Sequence, residues 1–387
     1  MNNPKLRFKE FASDWKIDNL SDLSSIIDGD RGKNYPKEKD FFDDEFCLFL
    51  NAGNVTKLGF DFKNKLFITK EKDQSLRNGK LERNDIVLTT RGTVGNVVLY
   101  NSDIPFDNIR INSGMVIVRN KNKIIPEYLY SYMKSPMFES QVNKTNFGSA
   151  QPQLTIKGLA KFKVSYSEEK EQIKVSNFLS LLDKKIELQS KKIEDLKLFK
   201  KGLIHQMKKS SNNWSEYKIS EIFKITRGVV IPKTDLLDNK TTEYQYPVYS
   251  SQTSNNGILG YDTKFDFDGK YLTWTTDGAN AGKVFYRNGK FRCTNVCGVL
   301  YNDNNKYVDE LTAELLNYET PKHVSYVGNP KLMNNVMGDI KIFLPDSNES
   351  DRVSNILLII NNKVLLETDK LNKLNKFKKG LMQNMFV

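Results

Sequence analysis

The stretch "KLFKKGLIHQM", Lys197 to Met207, has a near copy in "NKFKKGLMQNM", Asn375 to Met385, 178 residues further on. Aligned without a gap, the match extends backwards. "EQIKVSNFLSLLDKKI" from Glu171 runs against "ESDRVSNILLIINNKV" from Glu349, so that Val175-Ser176-Asn177 faces Val353-Ser354-Asn355. Periodicity is repeated along with identity. Leu179, Leu182, Ile186, Ile193, Leu196 and Leu203 follow a three-four spacing, and Leu357, Ile360, Val364, Leu371, Leu374 and Leu381 repeat it residue for residue. The polar interruptions also correspond: Gln189 faces Glu367, and Lys200 faces Lys378. Each segment reads as one long helix with an apolar seam, about 40 residues or roughly 60 Å at the helical rise. Neither stripe is buried alone, and pairing the two as an antiparallel coiled coil buries both.

A second repeat precedes each helix. "DWKIDNLSDL" at Asp14 and "NWSEYKISEI" at Asn213 both set a tryptophan before a short amphipathic segment. "DIVLTTRGTVGNVVLY" from Asp85 resembles "KYLTWTTDGANAGKVFY" from Lys270: an apolar strand, a Thr-rich turn with glycines, then another strand. The expected fold class is therefore α+β, a tandem duplication of a mixed, strand-rich globular unit, each copy followed by a long helix. Residues 1–165 form the first globular domain, 166–210 the central helix, 211–345 the second domain and 346–387 the last helix, with "KKSSNNW" as the polar joint.

At 387 residues the chain exceeds the usual size of one domain. Its 59 Lys and Arg against 47 Asp and Glu leave a formal charge of +12, which makes a polyanionic partner plausible. No apolar run approaches the roughly 18 residues of a membrane span, and "MNNPKLRFKEF" lacks the apolar segment of a signal peptide. A cytoplasmic protein with no membrane partner is expected. Cys47, Cys293 and Cys297 are too few for a disulfide framework and read as reduced thiols.

Tests for chemistry return little. No glycine-rich loop ends in Gly-Lys-Ser or Gly-Lys-Thr, as a nucleotide-hydrolysing motor requires. "CTNVC" has three intervening residues and no second cysteine pair, and only His205 and His323 could join it, so no metal site is assigned. The same shortage speaks against a histidine-based nucleophilic triad. Asp28, Asp30, Asp43, Asp44, Asp103 and Asp107 could converge in space, yet no acidic pattern rises above the background of a charged protein. "NPKL" from Asn329 has only the beginning of an adenine methyltransferase loop. No catalytic residue is assigned, and binding fits better than catalysis.

Candidate nucleic-acid contacts lie in the loops of both units. In the first they are Arg31, Lys33, Arg91, Thr93, Arg110, Lys144 and Gln151; in the second, Arg227, Gln252, Asn280, Arg292, Asn295 and Lys331. Arg and Lys engage phosphates, while Arg, Asn, Gln and Thr also reach base edges in the major groove.

The order of these parts carries a resemblance that covers essentially the whole chain. The Trp15 unit, "TTRGTVGN", the first helix with its "FKKGL", the Trp214 unit, "TTDGANAGKVFY" and the last helix with its own "FKKGL" resemble the DNA-specificity subunit of type I restriction-modification enzymes. Two departures stand out. "VSYSEEK" replaces the proline turn before Glu171-Gln172, and "IFLPDSNESDRV" keeps Pro345 but has Glu349-Ser350 in place of the Glu-Gln pair. The resemblance implies a non-catalytic target-recognition subunit in bacterial defence. Each globular unit would read one half of a bipartite double-stranded DNA target. The long helices would act as spacer and dock two modification subunits, with restriction-translocase subunits in the full complex. It also implies that S-adenosylmethionine, ATP and magnesium belong to those partners and not to this chain. Two other classes stay open from the residues alone: a non-catalytic protein-binding adaptor built on a coiled coil, and a stand-alone nuclease.

Overall fold

A computed structural model describes residues 3–145, 153–210 and 214–387, apart from the side chains of Lys208 and Ser210. The two repeated segments are single helices, Glu169–Ser210 and Ser347–Met385. The chain divides into two compact units that cut across both. Residues 1–190 and 369–387 make the first unit, and residues 191–368 the second. Each globular part is thus built with one half of each long helix.

In the first unit the central sheet has four strands: β1 (Ser24–Asp28), β2 (Ile86–Thr89), β3 (Val97–Leu99) and β4 (Met115–Asn120), in the order β1-β4-β2-β3 and antiparallel throughout. The strand "IVLT" of β2 is apolar at every position down to Leu88 because both faces of the sheet are covered. Ile86 and Leu88 face a core with Trp15, Tyr128, Leu129, Tyr132 and Phe138. Val87 faces the other way, onto Leu48, Leu50, Ile109 and Ile111 of a smaller three-stranded sheet. That smaller sheet contains a parallel pair, Cys47–Leu50 beside Ile109–Ile111.

The helices close the first core. Val175 and Leu179 from the first long helix join Met382 and Met385 from the second and Phe386 just past its end. Phe386 sits edge-on to Tyr128 and Tyr132 with ring centroids 5.7 and 5.5 Å away. Glu171, fully buried, accepts from Arg7 Nε and Nη2 at 2.8 and 2.7 Å and from Trp15 Nε1 at 3.2 Å, so this carboxylate is paid in hydrogen bonds for its burial.

The second unit repeats the plan. Its sheet has β5 (Lys224–Arg227), β6 (Lys270–Thr275), β7 (Val284–Asn288) and β8 (Cys297–Tyr301), in the equivalent order β5-β8-β6-β7. Leu272 and Trp274 face a core with Leu311, Leu315, Leu316, Val353, Leu357 and Ile204. A parallel pair recurs too, Tyr246–Tyr249 beside Arg292–Cys293.

Where the sequence departs from its own repeat, different residues do one job. Gln172 Oε1 accepts from the N–H of Ile125 at 2.9 Å, just before the helix Pro126–Met133. In the second unit Asp309 caps the equivalent helix Glu310–Glu319 by accepting from Thr312 N–H at 2.8 Å, and Ser350 Oγ donates to Asp309 Oδ2 at 2.6 Å. Both devices satisfy a helix start next to a long helix.

The periodic apolar positions of the two long helices differ in burial. Leu179, Leu182 and Ile186 in the first unit, and Ile193, Leu357 and Ile360 in the second, are all buried, while Leu196, Leu203, Val364, Leu371, Leu374 and Leu381 are half-buried. The polar interruptions are used for pairing. In the second unit Lys200 Nζ donates to Glu314 Oε1 at 2.8 Å and Asn361 Oδ1 at 3.0 Å, and Lys192 Nζ lies 2.9 Å from Glu367 Oε1. In the first unit Lys378 pairs with Asp183, whose place in the repeat corresponds to Asn361.

No helix among the described residues is long and apolar enough to cross a membrane.

Candidate nucleic-acid interface

In each unit the glycine-rich loop follows a central strand and is held by the same hydrogen bonds. In the first, Gly95 N–H donates to Thr89 O at 2.9 Å, Asn96 N–H donates to Thr89 Oγ1 at 2.9 Å, and Thr89 Oγ1 donates to Thr93 O. In the second, Gly282 N–H donates to Thr275 O at 2.8 Å, Lys283 N–H to Thr275 Oγ1 at 3.0 Å, and Thr275 Oγ1 to Asn280 O. Gly95 and Gly282 have φ of 93° and 87°, which only glycine adopts freely. The threonines are therefore structural: their hydroxyls are spent inside the loop, while Arg91 to Thr93 and Ala279 to Asn280 at the loop tips are exposed.

A second segment locks onto this frame. The N–H of Leu154 donates to Thr90 O at 3.0 Å, and the N–H of Leu332 donates to Thr276 O at 2.9 Å. A third element arrives from the turn before β4 or β8: Thr90 N–H donates to Gly114 O at 2.8 Å, and Thr276 N–H to Val296 O at 3.1 Å. The ends of β1 and β5 complete the edge. There Gly29 and Gly228 pass so close to the chain that an added Cβ would lie 2.2 Å from Asn112 O or 2.0 Å from Cys293 O. Each unit thus gathers four loops at one edge of its central sheet.

The predicted contact residues divide on this geometry. Arg31, Lys33, Arg91 and Thr93 are exposed on the first edge. Arg31 Nη2 lies 3.2 Å from both Asp28 Oδ1 and Ser113 O. The loop carrying Arg31 and Lys33 is pinned by buried Asp30, which accepts from the N–H groups of Gly32 and Arg77 at 2.6 Å each and of Asn78 at 3.4 Å. Burial alone would raise the Asp30 pKa; those backbone donors outweigh it and hold it below the ordinary carboxylate value. On the second edge Arg227, Asn280, Asn295 and Lys331 are exposed. Lys144 is exposed near the end of the helix Pro136–Thr145. Gln252 is half-buried and donates to Ile258 O, closing its own loop. Gln151 lies outside the described residues.

Arg110 is turned inward, and Arg292 is half-buried and paired within its own unit. Arg110 is 6% exposed, with Nε 2.6 Å from Asp73 Oδ1, Nη1 2.8 Å from Asn78 O, and Nη2 2.8 Å from Asp73 O and 3.2 Å from Leu76 O. Arg292 gives Nη1 to Asp262 at 2.7 Å and Nε to Asp266 at 2.9 Å. Both occupy the same place, on the parallel pair of the smaller sheet, where Phe49 faces Arg110 and Val248 faces Arg292. Burial pushes the Asp73 carboxyl up, but Lys80 and Arg110 hold it lower than usual; Arg292 does the same for Asp262. Arg110 is buried and gives all three guanidinium nitrogens to groups of its own chain, whereas the bonds of Arg292 use Nε and Nη1 and leave its Nη2 side uncommitted by them.

Two residues with no place in the predicted set stand on the edge as well. Gln153 adjoins Arg91, and Asp277 adjoins Lys331. The signal was present: Gln153 and Lys331 are separated by the same 178 residues as the helices, and "TTR" aligns with "TTD".

Among the described residues no group of three or more His, Cys, Asp or Glu side chains could hold a metal ion. All three cysteines are free and buried.

The model of the type I restriction modification DNA specificity domain matches this chain twice, over residues 12–198 and 211–376. The chain belongs to that family. Among its relatives, a specificity subunit of Mycoplasma pneumoniae described as S.MpnORF289P N-terminus is 42% identical over 142 residues, 36% of this chain and 74% of that one. Another from the same organism, S.MpnORF365P, is 33% identical over 213 residues, 53% of this chain and 78% of that one. The crystal structure of a type I restriction-modification S subunit from M. genitalium matches 100% of this chain and 99% of its own, with a TM-score of 0.70 at 16% identity. A chain from a structural study of complex assembly in a type I system matches 96% and 97%, with a TM-score of 0.52 at 15% identity. These structures share the two-unit fold, including the paired long helices.

Proposed function

We propose that this chain is the sequence-recognition subunit of a type I restriction-modification assembly, with one DNA-reading edge in each unit. The observation that carries the reading is the repeated edge: four loops gathered on an identical hydrogen-bonded frame, with exposed cations and amides at the rim. Such a surface supplies phosphate contacts from Arg31, Lys33 and Arg227 and base contacts from shorter polar side chains. Two edges of different rim composition suit a bipartite target whose halves differ.

The long helices offer a matched set of apolar residues outside the seam. Leu181, Leu188 and Phe377 in the first unit are 68, 59 and 57% exposed; their counterparts Ile359, Leu366 and Phe199 in the second are 68, 64 and 61% exposed. Apolar residues left wet at corresponding positions suit partner surfaces. We assign them to two modification subunits, one per set. Restriction subunits would join through the assembly, and S-adenosylmethionine, ATP and magnesium would act on those partners. The chain itself contributes recognition and no chemical step, in a cytoplasmic complex.

Methylome sequencing of cells with and without an intact copy of the gene tests this directly. Loss of one bipartite adenine-methylation motif is expected. An unchanged methylome in cells that otherwise express the methyltransferase would refute it.

A further inference from the structure

The rims of the two edges can be compared position by position, because the frame beneath them is shared. Arg91 follows Thr90 in the first unit, and Asp277 follows Thr276 in the second; Gln153 precedes Leu154, and Lys331 precedes Leu332. With its amide oxygen turned toward the guanidinium, Gln153 accepts from Arg91 Nε at 3.2 Å and Nη2 at 2.9 Å. In the second unit Lys331 Nζ stands 3.8 Å from Asp277 Oδ1, while Thr276 Oγ1 donates to Asp277 Oδ2 at 2.6 Å. The two pairs occupy one site with different chemistry: a cation with an amide in one unit, an anion with a cation in the other. Neither pair is demanded by packing, since Arg91 and Lys331 are exposed. The backbone frame is kept and the pair standing on it is exchanged.

We propose that Arg91 with Gln153, and Asp277 with Lys331, are the specificity-determining pair of each reader. The inference rests on the DNA-recognition reading above and deepens it to a base-pair assignment. Gln153 fixes one edge of the Arg91 guanidinium, leaving the Nη1 side to approach O6 and N7 of a guanine. Asp277 can only accept, which suits the exocyclic amine of a cytosine, with Lys331 beside it to donate to the guanine of the same pair. Each reader therefore addresses a G·C pair, contacting it through the guanine in the first unit and through the cytosine in the second.

The test uses the full chain assembled with its methyltransferase subunits and competition binding on two duplex libraries, each randomising one half-site. Arg91→Ala is expected to lose discrimination at one base pair of the first half-site by about 5- to 150-fold while the second half-site is read as before. Asp277→Ala should do the converse. Arg91→Lys, which keeps the charge and loses the fork, should lose the same discrimination as Arg91→Ala. The double replacement Arg91→Asp with Gln153→Lys should invert the preferred pair at that position from G·C to C·G. All of these positions lie on the surface, and melting curves matching the parent establish that the fold is intact. Equal weakening on every duplex, or unaltered preferences in both libraries, overturns the assignment. A parent complex with no sequence preference at all would instead overturn the DNA-recognition reading on which it rests.

Discussion

Arg110→Ala should cost stability and leave base preference alone. The guanidinium makes four bonds inside the first unit, one to the Asp73 carboxylate and three to carbonyls, in a site where both side chains are more than nine-tenths buried. Truncating one member of such a pair leaves the other charge short of a partner and costs about 3–5 kcal/mol. Lys80, 2.7 Å from Asp73 Oδ2, remains and keeps the loss within that range. For a unit of roughly 200 residues each kcal/mol moves the melting temperature by about 2–4 °C, so a drop of about 6–20 °C is expected in the transition of the first unit. The acid limb moves as well. Asp73 titrates below its unfolded value in the folded chain, so its contribution is in place above about pH 4 and is lost as pH falls through the lowered pKa. In Arg110→Ala that depression shrinks, and the fall in stability between pH 4 and pH 2 becomes shallower. Scanning calorimetry at several pH values, with hydrogen exchange at Leu48 and Ile111 to localise the loss, provides the measurement. A variant that melts like the parent but selects a different half-site would refute the structural role.

Phe386→Ala should destabilise the first unit by about 3–5 kcal/mol, because the ring fills the space beside Tyr128 and Tyr132; exchange protection should fall at Leu129 and hold at Leu316. Leu196→Asp or Leu374→Asp places a carboxylate on the half-buried seam and should dissociate the multisubunit complex in native mass spectrometry more than it alters any base preference. Glu310 is pushed up to about 7 by burial and the neighbouring Glu314, against the pull of Lys200 and Asn361. A raised carboxyl stabilises at low pH and loses that contribution as pH climbs from about 4.5 through 7, so Glu310→Gln should flatten the profile and raise stability at pH 8 by on the order of 2 kcal/mol, read from melting curves at pH 5 and 8.

The parts legible in the sequence are those whose signal is local and periodic. The seam from Leu179 to Leu381 is written in a three-four spacing that a helix converts directly into one face, and the glycines of the "TTRGTVGN" and "TTDGANAGK" loops mark turns wherever they stand. The pairing of Arg110 and Arg292 is not legible in the sequence, because their partners lie far along the chain. Asp73, on the helix Lys70–Ser75, is 37 residues from Arg110, and Asp262 is 30 from Arg292; tertiary packing brings each pair together, and composition has no knowledge of it. Gln153 and Asp277 were missed for the opposite reason. Each looks like an ordinary loop residue until the shared frame sets it beside its companion. The exposed apolar residues Leu188 and Leu366 could have been found from the repeat, since they fall at matched positions off the seam.

The make-up of the first unit sets a timetable for its birth on the ribosome. Its core needs Met382, Met385 and Phe386, yet Trp15, Tyr128 and Tyr132 are synthesised long before them. After Ser190 emerges, roughly 180 residues must be added before the segment 369–387 begins, which at ordinary elongation rates is about 10–40 s. During that interval the second unit, contiguous in sequence, receives all of its residues, while the first waits with an aromatic cleft open to whatever else is nearby. Chaperone demand should therefore concentrate on the half of the protein made first, and a premature stop near residue 370 should damage the reader farthest from it in sequence.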